Sequence, residues 1–239
     1  MTAARRVAAA GQAHAPERPL VIELVGAAAA GKSTLITELQ RRDPAIRWLQ
    51  RARGGGGAAA LARRVVGFAP AWLAAVPRAP GYTWRHARYF LRLATLEAVV
   101  RRAVREPAGV VILEHGPIFT LARLRAFHDG PPPASLARYA SRLVARWVKQ
   151  LDLVIVLEAP LDVLASRLDS RSKEHEMRNR TTDEVRDFVI RWDVAYETVL
   201  AELHAAGGPP VLRLRSDRHT VAALADRVGS ALEERRRAR

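Results

Sequence analysis

The stretch that most constrains this chain runs from Gly26 to Thr34 and reads GAAAAGKST. An apolar run from Leu20 to Val25 precedes it, and the segment from Leu35 to Leu39 has the pattern of an amphipathic helix. A strand, then GxxxxGKS/T, then a helix is the context in which such a loop binds phosphate. We therefore predict a phosphate-binding loop between the first strand and the first helix.

The residue types in this loop each suit the binding of a nucleotide. Glycine at positions 26 and 31 lets the backbone turn closely, so that successive amides point at phosphate oxygens. Lys32 is expected to reach the β- and γ-phosphates, and the Ser33 hydroxyl to hold Mg²⁺. The alternative is a Gly/Ala-rich turn that only opens a helix. The predicted nucleotide contacts are Gly26, Ala27, Ala28, Ala29, Ala30, Gly31, Lys32, Ser33 and Thr34.

The composition is that of a folded chain without cysteine. Its 239 residues, 49% of them hydrophobic, suit one α/β domain with a sizeable core. The absence of cysteine excludes disulfides and thiolate metal sites. Because no apolar run reaches the ~20 residues that span a bilayer, we expect a cytoplasmic protein with no membrane partner. A homodimer is left open.

The formal net charge of +15 raises the question of a nucleic-acid partner. The arginines are spread over every segment of an Ala- and Arg-rich chain, and a cleft for nucleotide phosphates would also be basic. We therefore do not expect nucleic acid to be the main partner. Residues 1–18 lack periodicity and are predicted to be a disordered tail, and residues 234–239 a frayed basic tail.

Beyond the loop, apolar runs of strand length alternate with helical patterns. Strands are predicted at 20–25, 45–49, 110–114, 153–157 and 211–214. Helices are predicted at about 32–42, 58–68, 82–105, 118–127, 135–150, 161–170 and 182–206, with a closing helix after Thr220. This alternation predicts an α/β domain over 19–233, a parallel sheet with helices on both faces and ligands at the carboxyl ends of its strands.

A carboxylate follows the apolar run Val110 to Leu113, at Glu114. A carboxylate at the tip of a buried strand is placed to reach Mg²⁺ or a nucleophile in an enzyme that handles phosphates. Glu114 is predicted to hold a magnesium-bound water or to accept the proton of an acceptor hydroxyl. The alternative is an acid that ends the strand and caps the next turn. His115 is either a local hydrogen-bonding group or part of an acceptor site.

Arginines four positions apart follow the fourth predicted strand, at Arg167 and Arg171. On one helix they share a face, and two like charges there repel unless an anion lies between them. A phosphoryl group in transfer is such an anion, so both are predicted to be catalytic, and Arg167 also to contact the nucleotide. The alternative is that Arg167 pairs with Asp162 or Asp169. Further arginines, Arg178 and Arg180, lie in the charged segment beyond.

These motifs, in this order, resemble the P-loop nucleotide and nucleoside kinases, above all the thymidylate kinases and their deoxynucleoside kinase relatives. The resemblance covers about residues 20 to 232. It implies a P-loop NTPase three-layer sandwich with a five-stranded parallel sheet in the order 2-3-1-4-5, and a lid over ATP at about 170–182. It also implies that the loop from Arg215 to Arg218 lies beside the adenine, which makes Asp217 a candidate nucleotide contact.

The chain departs from the family pattern on the acceptor side. Thymidylate kinases carry Asp-Arg after the third strand and deoxynucleoside kinases Glu-Arg-Ser, whereas this chain reads Glu114-His115-Gly116. The Asp-Arg pair that grips the acceptor phosphate in thymidylate kinases is missing from 90–95. An acceptor-side flap is predicted at about 50–90. Candidate acceptor contacts, which could equally be core and surface residues, are Tyr82, Trp84, Arg85, Arg88 and Arg92.

The resemblance implies an ATP- and Mg²⁺-dependent kinase that phosphorylates a small molecule, with a divergent acceptor site. Its acceptor is a nucleoside, a nucleotide or another hydroxyl compound. A P-loop identifies phosphate binding and not its purpose. The alternative is therefore a P-loop ATPase with a regulatory or nucleic-acid-dependent role.

Overall fold

Five parallel strands form the centre of the protein. A computed structural model describes residues 18–49, 66, 69–70, 72–73, 84–105, 109–127, 134–170 and 181–239. The strands are β1 (Leu20–Val25), β2 (Ile46–Leu49), β3 (Val110–Leu113), β4 (Leu153–Glu158) and β5 (Val211–Arg215). They lie in the order β2-β3-β1-β4-β5, and every neighbouring pair is parallel. The predicted fold class and strand order are confirmed.

The central strands of the sheet are buried. Every residue of β1 and β3 is buried, as are all residues of β4 except the last. Strands covered on both faces contain continuous runs of Val, Ile and Leu, and Glu23 interrupts that pattern in β1. The register pairs Ile22 with Ile112 and Val25 with Val156, so the carboxyl ends of β1, β3 and β4 meet at one edge. The glycine-rich loop and Glu114 both begin at that edge.

Helices surround the sheet, and several begin at residues suited to that position. Those with described bounds are α1 (Lys32–Arg42), α2 (Trp84–Ala103), α3 (Pro117–Ala126), α4 (Ala134–Val148), α5 (Leu161–Asp169), α6 (Thr182–Ala205) and α7 (Val221–Arg237). Thr181 and Glu184 form a reciprocal capping box at the start of α6. Thr220 accepts the Ala223 amide, which confirms its predicted role as the cap of α7. None of the described helices is long and apolar enough to cross a membrane.

The carboxyl-terminal residues differ from the frayed tail expected for 234–239. Helix α7 continues through Arg237. The Arg239 guanidinium donates to the Arg18 carbonyl oxygen at 2.6 Å and forms an ion pair with the buried Asp152. The prediction overlooked this pairing because Asp152 lies far from the terminus in sequence.

Parts of the predicted flap and lid lie outside the described residues. Of the flap at 50–90, the structure describes 66, 69–70, 72–73 and 84–90, and of the lid at 170–182 only the ends. Most of the helix predicted at 58–68, Arg171, Arg178 and Arg180, and residues 1–17 of the predicted tail, lie outside as well.

Candidate active site

The loop from Gly26 to Gly31 turns through three residues in the left-handed region. The φ angles are 139° at Gly26, 63° at Ala29 and 95° at Gly31. A Cβ at Gly26 would lie 2.2 Å from the Leu157 carbonyl oxygen, so only glycine lets the loop pack against the end of β4. Ala29 adopts its angle with a side chain present, and such strain clusters at ligand-binding sites.

Lys32 lies at the start of α1 and closes the loop. Its ammonium group donates to the carbonyl oxygens of Gly26 and Ala27, each at 2.8 Å. The residue before the helix, Gly31, offers no side-chain cap, and the first turn contains no acidic residue. The positive end of this helix therefore faces the loop, and no carboxylate in its first turn neutralises it. A helix end of this kind favours the binding of an anion.

Ser33 and Glu114 meet beside the loop. The Ser33 hydroxyl donates to Oε1 of Glu114 at 2.8 Å, and Glu114 is buried directly after β3. Oxygen ligands of this kind fit Mg²⁺, which keeps several waters and takes one or two protein oxygens in addition to substrate phosphates. Within the described ranges, no cluster of three or more His, Asp or Glu side chains could hold a metal ion. The two oxygens of Ser33 and Glu114 suit a magnesium ion whose other ligands are waters and phosphate oxygens.

A cavity of about 270 Å³ opens on the other side of the loop. Its walls come from the loop, α1, the end of β4 and the connection between β5 and α7. The lining residues are Ala29, Ala30, Gly31, Thr34, Leu35, Leu157, Arg167, Ser216, His219, Val221 and Leu224. Most of these side chains are apolar and a few are polar, which is the usual character of a pocket for an organic ligand.

Arg167 forms one wall of this cavity. Its guanidinium donates to the Ser216 hydroxyl at 3.0 Å and to the Ser216 carbonyl oxygen at 3.1 Å. These contacts tie α5 to the connection between β5 and α7. Both go to Ser216 and neither to Asp162, one of the carboxylates considered as an alternative partner. The arrangement predicted for Arg167 and Arg171 on one helix face depends on Arg171, which lies outside the described residues.

Asp217 is turned away from the cavity. Its carboxylate accepts two hydrogen bonds from Arg215, both at 2.8 Å, and this guanidinium lowers the pKa of Asp217. Asp217 is not among the lining residues, whereas Ser216 and His219 from the same connection are. The predicted nucleotide contact at Asp217 stays a prediction, and within this connection the residues that line the cavity are its neighbours.

The acceptor-side candidates are only partly described. Tyr82 lies outside the described residues, as do the side chains of Trp84 and Arg85. Arg88 is exposed on α2. Arg92 donates to the His115 carbonyl oxygen at 3.3 Å, which links α2 to the residues that follow Glu114.

The sequence predictions missed a buried carboxylate, Glu23. It accepts the amides of Ile118 at 3.0 Å and Phe119 at 2.9 Å, and so caps the N-terminus of α3 from inside the sheet. Burial raises the pKa of Glu23 to about 8, although these backbone hydrogen bonds and the Arg92 guanidinium oppose the shift. The signal was available in the sequence, because an acidic residue inside an otherwise apolar strand is almost never buried without a partner.

The predictions also missed an aromatic stack that connects α3 to α6. Phe119 stacks on Trp192 with ring centroids 5.2 Å apart, and Trp192 stacks on Tyr196 at 5.3 Å. His115 meets the Phe119 ring edge-on at 4.4 Å. Tyr196 is buried, and burial raises its pKa well above the ordinary value. The stack reaches the glycine-rich loop, since the Gly26 backbone is near enough to the Tyr196 hydroxyl to lower its pKa in part.

Comparisons with known proteins find the same architecture in solved structures but no similar sequence. No family model matches the chain, and no curated protein sequence matches it. Solved structures do. A thymidylate kinase from Candida albicans is 14% identical, with a TM-score of 0.57 over 92% of this chain and 93% of that one. A deoxyadenosine kinase from M. mycoides is 12% identical, with a TM-score of 0.54 over 90% and 100%. The YorR protein from Bacillus subtilis, solved with phosphorylated GDP, is 13% identical, with a TM-score of 0.50 over 89% and 95%. The chain has the fold of the P-loop nucleoside and nucleotide kinases.

The P-loop kinase fold brings most of the predicted site residues to one edge of the sheet. The loop 26–34, Glu114 and Arg167 all lie at the carboxyl ends of β1, β3 and β4. The resemblance inferred from the motifs is confirmed at the level of fold. At 12–14% identity the solved structures establish the architecture, and the reaction has to be argued from the site itself.

Proposed function

We propose that this chain is a Mg-ATP-dependent kinase that transfers a phosphoryl group to a small-molecule acceptor. The observation that carries the proposal is the 2.8 Å hydrogen bond from the Ser33 hydroxyl to Glu114. It joins the phosphate-binding loop to a carboxylate, beside a helix N-terminus that favours anions. Phosphoryl transfer depends almost entirely on positioning and charge neutralisation, and these groups suit both tasks.

The donor is proposed to place its base in the 270 Å³ cavity and its phosphates at the start of α1. Leu35, Leu157 and Leu224 offer apolar surface that suits a planar base. Lys32 then has to exchange the carbonyl oxygens of the loop for phosphate oxygens. A hydrogen bond between two charged groups is stronger than one to a neutral carbonyl, so the exchange is favourable.

Magnesium, when bound, neutralises the charge that develops on the β- and γ-phosphate oxygens. Ser33 and Glu114 are the residues that would hold it. Because Oε1 of Glu114 already contacts the Ser33 hydroxyl, we assign Glu114 first to a magnesium-bound water. Acceptance of the proton from the acceptor hydroxyl is its second candidate role.

The acceptor is proposed to bind near the residues that follow β3. There the chain keeps the carboxylate, Glu114, and has His115 next to it. The solved structures of similar fold include a thymidylate kinase and a deoxyadenosine kinase, which supports nucleotides and nucleosides as the first acceptors to try. Among the described residues, the His115 ring and the Arg92 guanidinium are the groups proposed to select the acceptor.

The test is a screen of acceptors that is read by ADP release. MgATP is offered with panels of nucleosides, nucleoside monophosphates, sugars and aminoglycosides, and with DNA and RNA in separate wells. We expect one class of small molecule to raise ADP release and to appear as a phosphorylated product by mass spectrometry. Lys32→Ala should abolish the increase, whereas the matched change at an exposed lysine, Lys149→Ala, should not.

A different result would favour the alternative function. If only DNA or RNA raised ADP release, and no small molecule gained a phosphoryl group, the kinase proposal would be wrong. The chain would then be a nucleic-acid-dependent P-loop ATPase.

A further inference from the structure

Residues 115–119, which follow Glu114 and include the first turn of α3, form a segment that contacts three other elements. From α2, Arg92 donates to the His115 carbonyl oxygen. From β1, Glu23 accepts the amides of Ile118 and Phe119. From α6, the ring of Trp192 stacks on Phe119. These contacts tie the segment to β1, α2 and α6.

Glu23 is enclosed at its contact with this segment. The side chain is fully buried, and each carboxylate oxygen receives one backbone amide. A Cβ on Gly116 would lie 2.5 Å from the Glu23 carboxyl carbon and within 2.8 Å of both oxygens. The residue after His115 is therefore glycine because the carboxylate occupies the space where a side chain would be.

A second buried polar group, Tyr196, lies on the donor side of Glu23. Burial raises the pKa of the Tyr196 hydroxyl, nearby Glu23 raises it further, and the Gly26 backbone lowers it, so the hydroxyl lies near both. Tyr196 also belongs to the stack that ends at Phe119. The phosphate-binding loop and the segment after Glu114 are thus braced by adjacent buried groups.

We propose that Glu23 is a positioning residue. It fixes His115 and Phe119 beside the proposed acceptor position, at a set distance from the phosphate-binding loop. It contacts neither nucleotide nor acceptor, and acts through the backbone of α3. A carboxylate that caps a helix from within the neighbouring strand sets where the first turn lies, because both hydrogen bonds must be kept. The acceptor role of the segment rests on the proposed kinase function, whereas its fixation by Glu23 does not.

The chain offers a matched control in Asp152. This carboxylate is also buried and also accepts a backbone amide, that of Val21 at 2.7 Å, but it lies at the opposite end of β1. Asp152→Asn and Glu23→Gln each replace a buried carboxylate by its amide. Only the second change is expected to disturb the segment beside Glu114, because Asp152 accepts the Val21 amide and Glu23 accepts those of Ile118 and Phe119.

The first arm of the experiment needs no acceptor. Amide hydrogen exchange is measured in the full chain, with MgADP bound, for wild type, Glu23→Gln, Glu23→Ala and Asp152→Asn. We expect the Ile118 and Phe119 amides to exchange roughly tenfold faster in both Glu23 variants, since Glu23→Gln replaces one of the two acceptor oxygens by an NH₂ group and Glu23→Ala removes both. In Asp152→Asn the same amides should exchange as in wild type.

The second arm measures kinetics with MgATP and two acceptor probes, deoxyadenosine and thymidine monophosphate. We expect Glu23→Gln to raise the KM for the acceptor roughly tenfold while MgADP affinity changes less than about twofold, because only the acceptor side moves. If Glu23→Ala does not fold, Glu23→Gln, which keeps the size and one acceptor oxygen, carries the test.

The arms separate failure of this proposal from failure of the kinase assignment. Unchanged exchange at Ile118 and Phe119 in Glu23→Gln would overturn the positioning role, whatever the enzyme assay shows. An equal rise in acceptor KM for Asp152→Asn would also overturn it, because the effect would then be general loss of stability. Faster exchange without transfer to either probe would support the positioning role and count against these two acceptors.

Discussion

The Ser33 hydroxyl lies 2.8 Å from the Glu114 carboxylate, although 81 positions separate the two residues in the chain. One belongs to the first turn of α1 and the other follows β3, and the parallel pairing of β1 with β3 brings them to the same edge of the sheet. Neither side chain alone distinguishes a phosphate-binding loop from a catalytic site. Together they support the proposal that a nucleotide-bound magnesium ion is held at this point.

The first prediction concerns Glu114→Gln. The amide keeps the size of the side chain but removes the negative charge, so magnesium placement and proton acceptance both weaken. We expect kcat to fall roughly 100-fold, the usual scale for loss of a positioned acid–base group, with MgADP affinity within about threefold of wild type. Steady-state kinetics and calorimetry provide the two measurements.

The control for this change is Glu158→Gln, at the end of the neighbouring strand β4, where the carboxylate pairs with Arg213. It should leave kcat unchanged. A Glu114→Gln enzyme with the turnover of wild type would reduce Glu114 to a residue that caps the end of its strand.

The second prediction concerns Gly26→Ala. The added Cβ would lie 2.2 Å from the Leu157 carbonyl oxygen, at a φ of 139° that side-chain-bearing residues rarely adopt. We expect the free energy of unfolding to fall by about 2 kcal/mol or more, with loss of MgADP binding, because the loop has to move away from β4. Gly229→Ala is the control. It adds the same methyl group within α7, where nothing lies within 4 Å, and should stabilise the protein by about 0.5 kcal/mol or more. Urea unfolding compares the two variants, and equal stabilities would contradict the packing of this loop.

The features that the sequence predicted correctly depend on short-range patterns. The glycine-rich loop and the strand and helix that flank it lie within about twenty consecutive residues, and the strand order followed from a family whose motifs occur in the same sequence order. Thr220 was recognised as a cap because its partner, the Ala223 amide, is three residues away. Such features need no knowledge of which distant segments meet.

The features that the sequence did not predict depend on contacts between distant segments. Glu23 binds amides 95 and 96 positions away, and the Ser216 that holds Arg167 is 49 positions away. Asp217 was chosen by analogy with the family. The side chain that faces the cavity is decided by the turn after β5 and by the hydrogen bond from Arg215 to Asp217, and neither could be read from the sequence. A buried acid in an apolar strand was visible as an anomaly, yet its partners could be found only once the sheet had been assembled.

The third prediction concerns Arg167→Ala. The guanidinium both lines the cavity and holds Ser216 through two hydrogen bonds, so its removal opens one wall. We expect MgADP to bind roughly tenfold more weakly, which corresponds to about 1.4 kcal/mol. Arg186→Ala, an exposed arginine on α6, should bind MgADP as wild type does. If the two variants bound equally well, the nucleotide would not use this cavity.

The fourth prediction concerns the pH dependence of stability that Glu23 creates. Burial raises the pKa of Glu23 from an ordinary value of 4.5 to about 8. Between these values the folded chain keeps a proton that the unfolded chain has released. The free energy of unfolding contributed by Glu23 therefore falls as pH rises through this window, and is constant above about pH 8. The slope for one proton is at most about 1.4 kcal/mol per pH unit.

Urea unfolding of wild type and Glu23→Gln from pH 5 to pH 9 checks this expectation. The difference in free energy between them should move in favour of Glu23→Gln as pH rises and become constant near pH 8. The groups that face Glu23 are the Arg92 guanidinium, the backbone amides at the start of α3, and the Tyr196 hydroxyl, whose pKa is also raised and which stays neutral over this range. Tyr196→Phe should accordingly keep the slope of wild type. Parallel curves for wild type and Glu23→Gln would mean that Glu23 is already ionised in the folded protein at pH 5, stabilised by its two amides and by Arg92 despite its burial.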